Sequence, residues 1–251
     1  MSNKKGFTLI EVVLFLALSG ALVASLIAGT SRSISQKRYN DTVDNFVDYL
    51  QGLYSDVNYV QGVGTTGGNS NKAIYGKAII SNDGKTFEEY TVLGSAACSS
   101  GKDDALEALN ECTPNIANKN AMHSSYRLSW GGTATEAEGN KIAILIITHP
   151  KTGMKSTYLK TENDESDISI TIDETALSVA SENIFDTSDP PKLDGFSASD
   201  DINFCISSDD ESAAGYVGDK HKLIKIHAGA NNASGVEIIS DDDRDGLCEP
   251  D

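Results

Sequence analysis

Positive charge is scarce in this chain: 20 Lys and Arg stand against 37 Asp and Glu, a formal net charge of −17 over 251 residues. Phosphate backbones repel so acidic a body, which disfavours nucleic-acid binding by the body as a whole, although a local basic patch stays open. Histidine is rare. The four present, His123, His149, His221 and His227, stand in no HExxH or other metal spacing, and no GxSxG or kinase-like set occurs, so the sequence points away from an enzyme. Four cysteines, Cys98, Cys112, Cys205 and Cys248, lack any CxxC or Cys/His ligand spacing, which argues against zinc. A formal GxGxxG is present at Gly62-Val63-Gly64-Thr65-Thr66-Gly67. It follows a helical stretch, whereas a phosphate loop follows a strand and opens a helix, so it is rejected as a nucleotide site.

The charge that is present is unevenly placed. Residues 1 to 38 carry Lys4, Lys5, Arg32, Lys37 and Arg38 against the single acid Glu11, a net +4, which leaves about −21 on the remaining 213 residues. Inside that basic start, Phe7 to Ala28 runs for 22 residues with one charge. As a helix it is about 33 Å long, enough to cross a hydrocarbon core of about 30 Å. Basic residues flank it on both sides, so the positive-inside bias gives little orientation. An ordinary secretory signal would not tolerate Glu11 inside its apolar core. A carboxylate within a span costs about 2.5 to 3.5 kcal/mol and marks a partner or a function. The span holds no basic residue, so the compensating cation must be a terminus, a headgroup or another subunit.

Lys4-Lys5-Gly6 followed by Phe7-Thr8-Leu9-Ile10-Glu11 resembles the class III leader junction of type IV prepilins, pseudopilins and competence pilins, with a close match over the first 30 residues. The resemblance implies cleavage after Gly6 by a prepilin peptidase, N-methylation of Phe7, and Glu11 as an assembly residue that pairs with the new α-amino group of a neighbouring subunit. It also implies a cytoplasmic leader, an extracytoplasmic head, and a subunit that leaves the membrane for a surface filament through an assembly platform. Motility, adhesion and DNA uptake are the roles of such filaments; a minor pilin, a type II secretion pseudopilin and a membrane-tethered adhesive module are the alternatives. The helix-breaking proline common in that family is missing, with Ala28 in its place, and Gly20 alone costs about 1 kcal/mol relative to alanine. The helix should therefore stay continuous.

The expected fold is α+β and pilin-like: leader 1–6, spine helix 7–61 with 7–28 as membrane span and filament core, and an acidic head 62–251 with a subdivision near 186–201. Val43, Phe46, Val47, Leu50, Leu53, Tyr54, Val57 and Val60 form an apolar stripe at helical spacing. Strands are expected at 73–81, 87–93, 126–130, 142–148, 156–160, 168–172, 202–207, 223–227 and 236–239, with a short helix at 103–110. Asn82-Asp83-Gly84 and Lys151-Thr152-Gly153 read as hairpin turns.

If the head is exported, disulfides are the natural state of its cysteines, and three connectivities are open. Cys98 with Cys112 and Cys205 with Cys248 are favoured because each pair is the closer one in sequence. By the resemblance, a Cys205–Cys248 bond would pin the C-terminal region and enclose an exposed loop. Asp241-Asp242-Asp243-Arg244-Asp245-Gly246 fits DxDxDG. Asp241, Asp243 and Asp245, with Glu249, could offer oxygens to calcium, but the bidentate glutamate of a full loop would fall beyond Asp251, so calcium and a solvated acidic tail both stay open. No cofactor is required. The sequons at Asn40 and Asn232 carry no weight, because a three-residue pattern often occurs by chance.

Overall fold

In the computed structural model, residues 8–57, 61–62, 72–98, 100–116, 123–136, 141–161, 196, 201–208, 222–227 and 229–239 are described. Helix α1 (Leu9–Asp56) is unbroken over 48 residues and passes through Gly20 without a kink. It has two environments. Its first half is exposed among the described residues, whereas Tyr39, Val43, Phe46, Val47, Leu50, Leu53, Tyr54 and Val57 are all buried. From Val43 to Val57 the apolar stripe thus behaves as its spacing dictates, while Val60 lies outside the described residues.

The stripe packs on antiparallel strands in two sheets. The larger contains β1 (Gln61–Gly62), β2 (Lys72–Ser81), β3 (Thr86–Ser95), β4 (Asn115–Ile116), β5 (His123–Arg127), β7 (Ile142–Thr148) and β8 (Lys155–Thr161). Its order is β4-β3-β2-β7-β8, with β5 also on β3 and β1 on β2. The smaller sheet has the order β11-β10-β9-β6, from β6 (Gly132–Glu136), β9 (Ile202–Ser208), β10 (Lys222–Ile226) and β11 (Val236–Ile239). The α+β, pilin-like fold expected from the sequence is the fold observed.

Strand β7 explains why Ile142 to Thr148 is apolar almost throughout: every residue in it is buried. Ile142, Ile144 and Ile146 face α1 and the smaller sheet, in one core with Phe87, Phe204, Ile206 and Ile224. Ala143, Leu145 and Ile147 face the other way, into a second core roofed by α2 (Ala105–Asn110) through Ala105 and Leu109. The Cys98–Cys112 disulfide brackets α2, with its Cα atoms 5.3 Å apart, as sequence proximity suggested. Closing a loop of that size stabilises a fold by about 3 kcal/mol in the chain-entropy account.

Buried polar groups stitch α1 to both sheets. The Tyr54 hydroxyl lies 2.8 Å from Thr157 Oγ1, which itself donates to the Ala230 carbonyl at 2.7 Å. Nearer the apolar half, Tyr39 donates to the Ile206 carbonyl and accepts from the Lys222 amide, at 2.8 and 2.6 Å. The two sheets also meet at the turn between β2 and β3. Gly84 has φ +64°, and a Cβ there would lie 2.2 Å from the Ala134 carbonyl oxygen, so only glycine fits the Asn82-Asp83-Gly84 turn against β6.

Several boundaries depart from the sequence-based expectation. Helix α1 ends at Asp56 rather than near Gln61, where the chain has already entered β1 by pairing with Ile74. Helix α2 starts at Ala105 rather than Asp103, because the Asp104 carboxylate caps it by accepting from the Leu106 and Glu107 amides. The strand expected over 126–130 ends at Arg127. Ser129–Gly131 forms a 3-10 turn instead, drawn onto α1 by the Thr42 hydroxyl, which donates to the Ser129 carbonyl at 3.0 Å. Strand β6 was not expected at all, since Gly132-Thr133-Ala134-Thr135-Glu136 lacks apolar alternation; it is an edge strand that buries Ala134. Within 186–201 only Phe196 and Asp201 are described, and the expected strand 168–172 lies outside the described residues.

Candidate functional site

The chain enters α1 through Thr8, whose extended backbone (φ −76°, ψ 150°) places its side chain over the first helical turn. The Thr8 amide and hydroxyl both donate to Glu11 Oε2, each at 2.9 Å, while the Glu11 amide donates back to Thr8 Oγ1 at 3.4 Å. This is a reciprocal capping box, which satisfies two amides that an α-helix would otherwise leave unpaired. Such a cap stabilises a helix start by about 1 kcal/mol. The carboxylate also sits at the positive end of the helix dipole. Sequence reasoning missed this in-chain partner for Glu11, although the signal, Thr-x-x-Glu ahead of an apolar run, was legible at Thr8-Leu9-Ile10-Glu11. Among the described residues no lysine, arginine or histidine forms an ion pair with Glu11.

After this turn, α1 is apolar on every face. Leu9, Ile10, Val12, Val13, Leu14, Phe15, Leu16, Leu18, Leu22, Val23, Leu26 and Ile27 are between 47 and 84 % exposed. A window of 18 residues within the helix reaches a mean hydropathy of 2.4 with none of it buried in the protein. A helix hydrophobic all round is stable only when something else covers it. Its polar side chains are satisfied internally: Ser19 donates to the Leu16 carbonyl, Ser25 to Leu22, and Thr30 to Leu26 and Ile27. The segment therefore presents no unpaired hydroxyl to an apolar surrounding, which is what hydrocarbon or a packed helix bundle demands. Its length and composition suffice to cross a membrane.

The other residues singled out from the sequence are placed unevenly. Gly6, Phe7, Cys248 and the acidic set Asp241, Asp243, Asp245 and Glu249 lie outside the described residues. Cys205, on β9, is disulfide-bonded. Among the described residues no cluster of His, Cys, Asp or Glu could hold a metal ion. A surface hollow of about 330 Å³ is lined by Ile80, Asn82, Asp83, Thr86 and Glu88. Burial pushes the Asp83 carboxyl up, but the Thr86 and Lys85 amides, donating at 2.7 and 2.8 Å, win and hold it below its ordinary value. Those bonds use Asp83 to form the hairpin turn, so its chemistry here is structural.

With this geometry in view, the comparisons with known proteins fall on the same end of the chain. The family described as the prokaryotic N-terminal methylation motif matches residues 1–27. No curated protein and no solved structure matches the chain. The matched residues 1–27 include Glu11, the capping turn and nearly the whole exposed apolar stretch, and the match supports a class III leader junction of the type IV pilin and pseudopilin kind at this end of the chain.

Proposed function

We propose that this protein is a type IV pilin-like structural subunit. A prepilin peptidase cleaves it after Gly6, Phe7 is N-methylated, and the mature subunit is assembled through α1 into a surface filament by a membrane platform. The observation that carries this reading is the division of one continuous helix into a half buried in its own head and a half that nothing among the described residues covers. Lipid covers the apolar half before assembly. Neighbouring copies of the same helix cover it afterwards, at little cost, because the packed interior of a filament is about as apolar as lipid.

Glu11 fits the same account. Its in-chain bonds to Thr8 are hydrogen bonds, not an ion pair, so the carboxylate keeps its charge and attracts the new α-amino group of an adjacent subunit. The head is then held extracytoplasmic, with Cys205 bonded to Cys248 and its acidic surface outward, where like charge keeps filaments soluble and apart. Shearing cells and sedimenting the released filaments tests assembly. The protein is expected in the sheared fraction, as the bulk of it for a major subunit and as a trace for a minor pilin. Retention of all of it in the membrane would instead favour a tethered module.

A further inference from the structure

We propose that the Trp130 turn is an assembly contact of the head: its indole receives the apolar half of α1 from a second copy of the chain. This rests on the filament reading above. Trp130 is the chain's one tryptophan, and its φ of +54° is a left-handed conformation that bulky residues rarely adopt. The turn is clamped onto α1 in that shape. The Thr42 hydroxyl donates to the Ser129 carbonyl at 3.0 Å, and a Cβ on Gly132 would lie 2.5 Å from Thr42 Cγ2. The clamp does not bury the indole. The ring stays 55 % exposed, with the Arg38 guanidinium 4.7 Å from its centroid. Among the described residues of the head, Met154 and Ile238 are the other exposed large apolar side chains. A strained backbone that keeps a large aromatic ring open points to what the ring meets.

Level and continuity choose the occupant. The span ends at Ala28, and Ile34 and Arg38 lie about 9 and 15 Å further along the helix axis. A headgroup layer extends about 5 to 7 Å beyond the hydrocarbon, so lipid does not cover apolar surface at this height. A protein surface has to. Ile27, Ile34 and Arg38 follow one another at seven- and four-residue steps along one side of α1, with Ile27 63 % and Ile34 51 % exposed. The open apolar side of the span therefore runs on past the membrane and meets the indole at Arg38. Whatever packs along that side of the helix passes over the ring. Asp41 and Asp44 follow Lys37 and Arg38 within two turns, so the site offers an acidic neighbouring head no net positive charge. The apolar half of α1 suits it better, because between Leu9 and Ala28 its one charge is Glu11 and any of its faces can bury the ring. Bringing Ile27 of the second copy level with Arg38 displaces the two helices by about 16 Å along their axes.

The lone tryptophan supplies its own probe. Acrylamide quenching of its emission is compared between the full chain in detergent and filaments sheared from cells, and is expected to fall several-fold on assembly. Trp130→p-benzoylphenylalanine, irradiated in filaments grown from isotopically light and heavy copies, identifies what the position touches. The crosslinked peptide is expected to come from residues 9–28 of a different copy. Trp130→Gly should lower the yield of sheared filaments several-fold while the head's thermal unfolding is retained, since glycine adopts a φ of +54° without strain. Unchanged quenching in filaments, or crosslinks confined to a neighbour's head or to the same copy, would overturn the contact and leave the filament reading standing. An undiminished yield from Trp130→Gly would do the same. Absence of filaments from the unaltered chain would overturn the filament reading, and this contact with it.

Discussion

Replacing Glu11 by alanine is expected to abolish filament assembly while leaving the protein fully inserted in the membrane. The two outcomes separate because they draw on different properties of one carboxylate. Insertion should improve, since removing a carboxylate from an apolar segment relieves about 2.5 to 3.5 kcal/mol. Assembly should fail, since the same change removes the only acid in the first 40 residues and with it the charge available to a neighbour's terminus. Part of the alanine effect has a local source: the capping box with Thr8 is lost, at about 1 kcal/mol. Glu11→Gln separates the two, because glutamine can still accept from the Thr8 amide but carries no charge. If charge is what matters, the glutamine variant assembles no better than alanine in a sheared-filament assay; normal filaments from either would remove Glu11 from the mechanism.

Truncating Phe46 to alanine is expected to destabilise the head by about 3 to 5 kcal/mol. Phe46 is fully buried at the point where α1 meets both sheets. Its ring lies 4.9 Å from Phe87 on β3, 6.1 Å from Tyr126 on β5 and 5.7 Å, edge-on, from Phe204 on β9. Against a domain stability of about 5 to 15 kcal/mol, the loss is a large fraction of the whole. Denaturant unfolding of the full chain in detergent, followed by near-UV signal from the head, measures it. Phe15→Ala is the matched control: Phe15 is 70 % exposed on the apolar half, so head unfolding should be unchanged. A loss below about 1 kcal/mol for Phe46→Ala would mean that α1 does not organise the head core.

The parts of this molecule that periodicity governs could be read from the chain. The stripe from Val43 to Val57 has helical spacing and one buried face, and β7 is a short apolar run buried on both faces; each pattern has one cheap structural solution. What could not be read depends on contacts distant in sequence. The Thr42 hydroxyl, 87 residues away, turns Ser129–Gly131 out of the expected strand, and nothing near Trp130 announces it. Strand β6 has a polar, glycine-led sequence and exists because Phe204 to Ser208 offers it an edge. The functional end was legible for another reason. A lone acid in an apolar stretch violates membrane energetics strongly enough to demand an explanation, although the Thr8 cap beside it went unread.

If neighbouring copies come to cover the apolar half of α1, processing at its N-terminus comes first. Intact mass and N-terminal peptide analysis of the protein from purified surface filaments tests it most directly. The account predicts a chain lacking residues 1–6 and beginning with a singly methylated Phe7. Full-length protein with Met1 to Gly6 still attached in those filaments would contradict it.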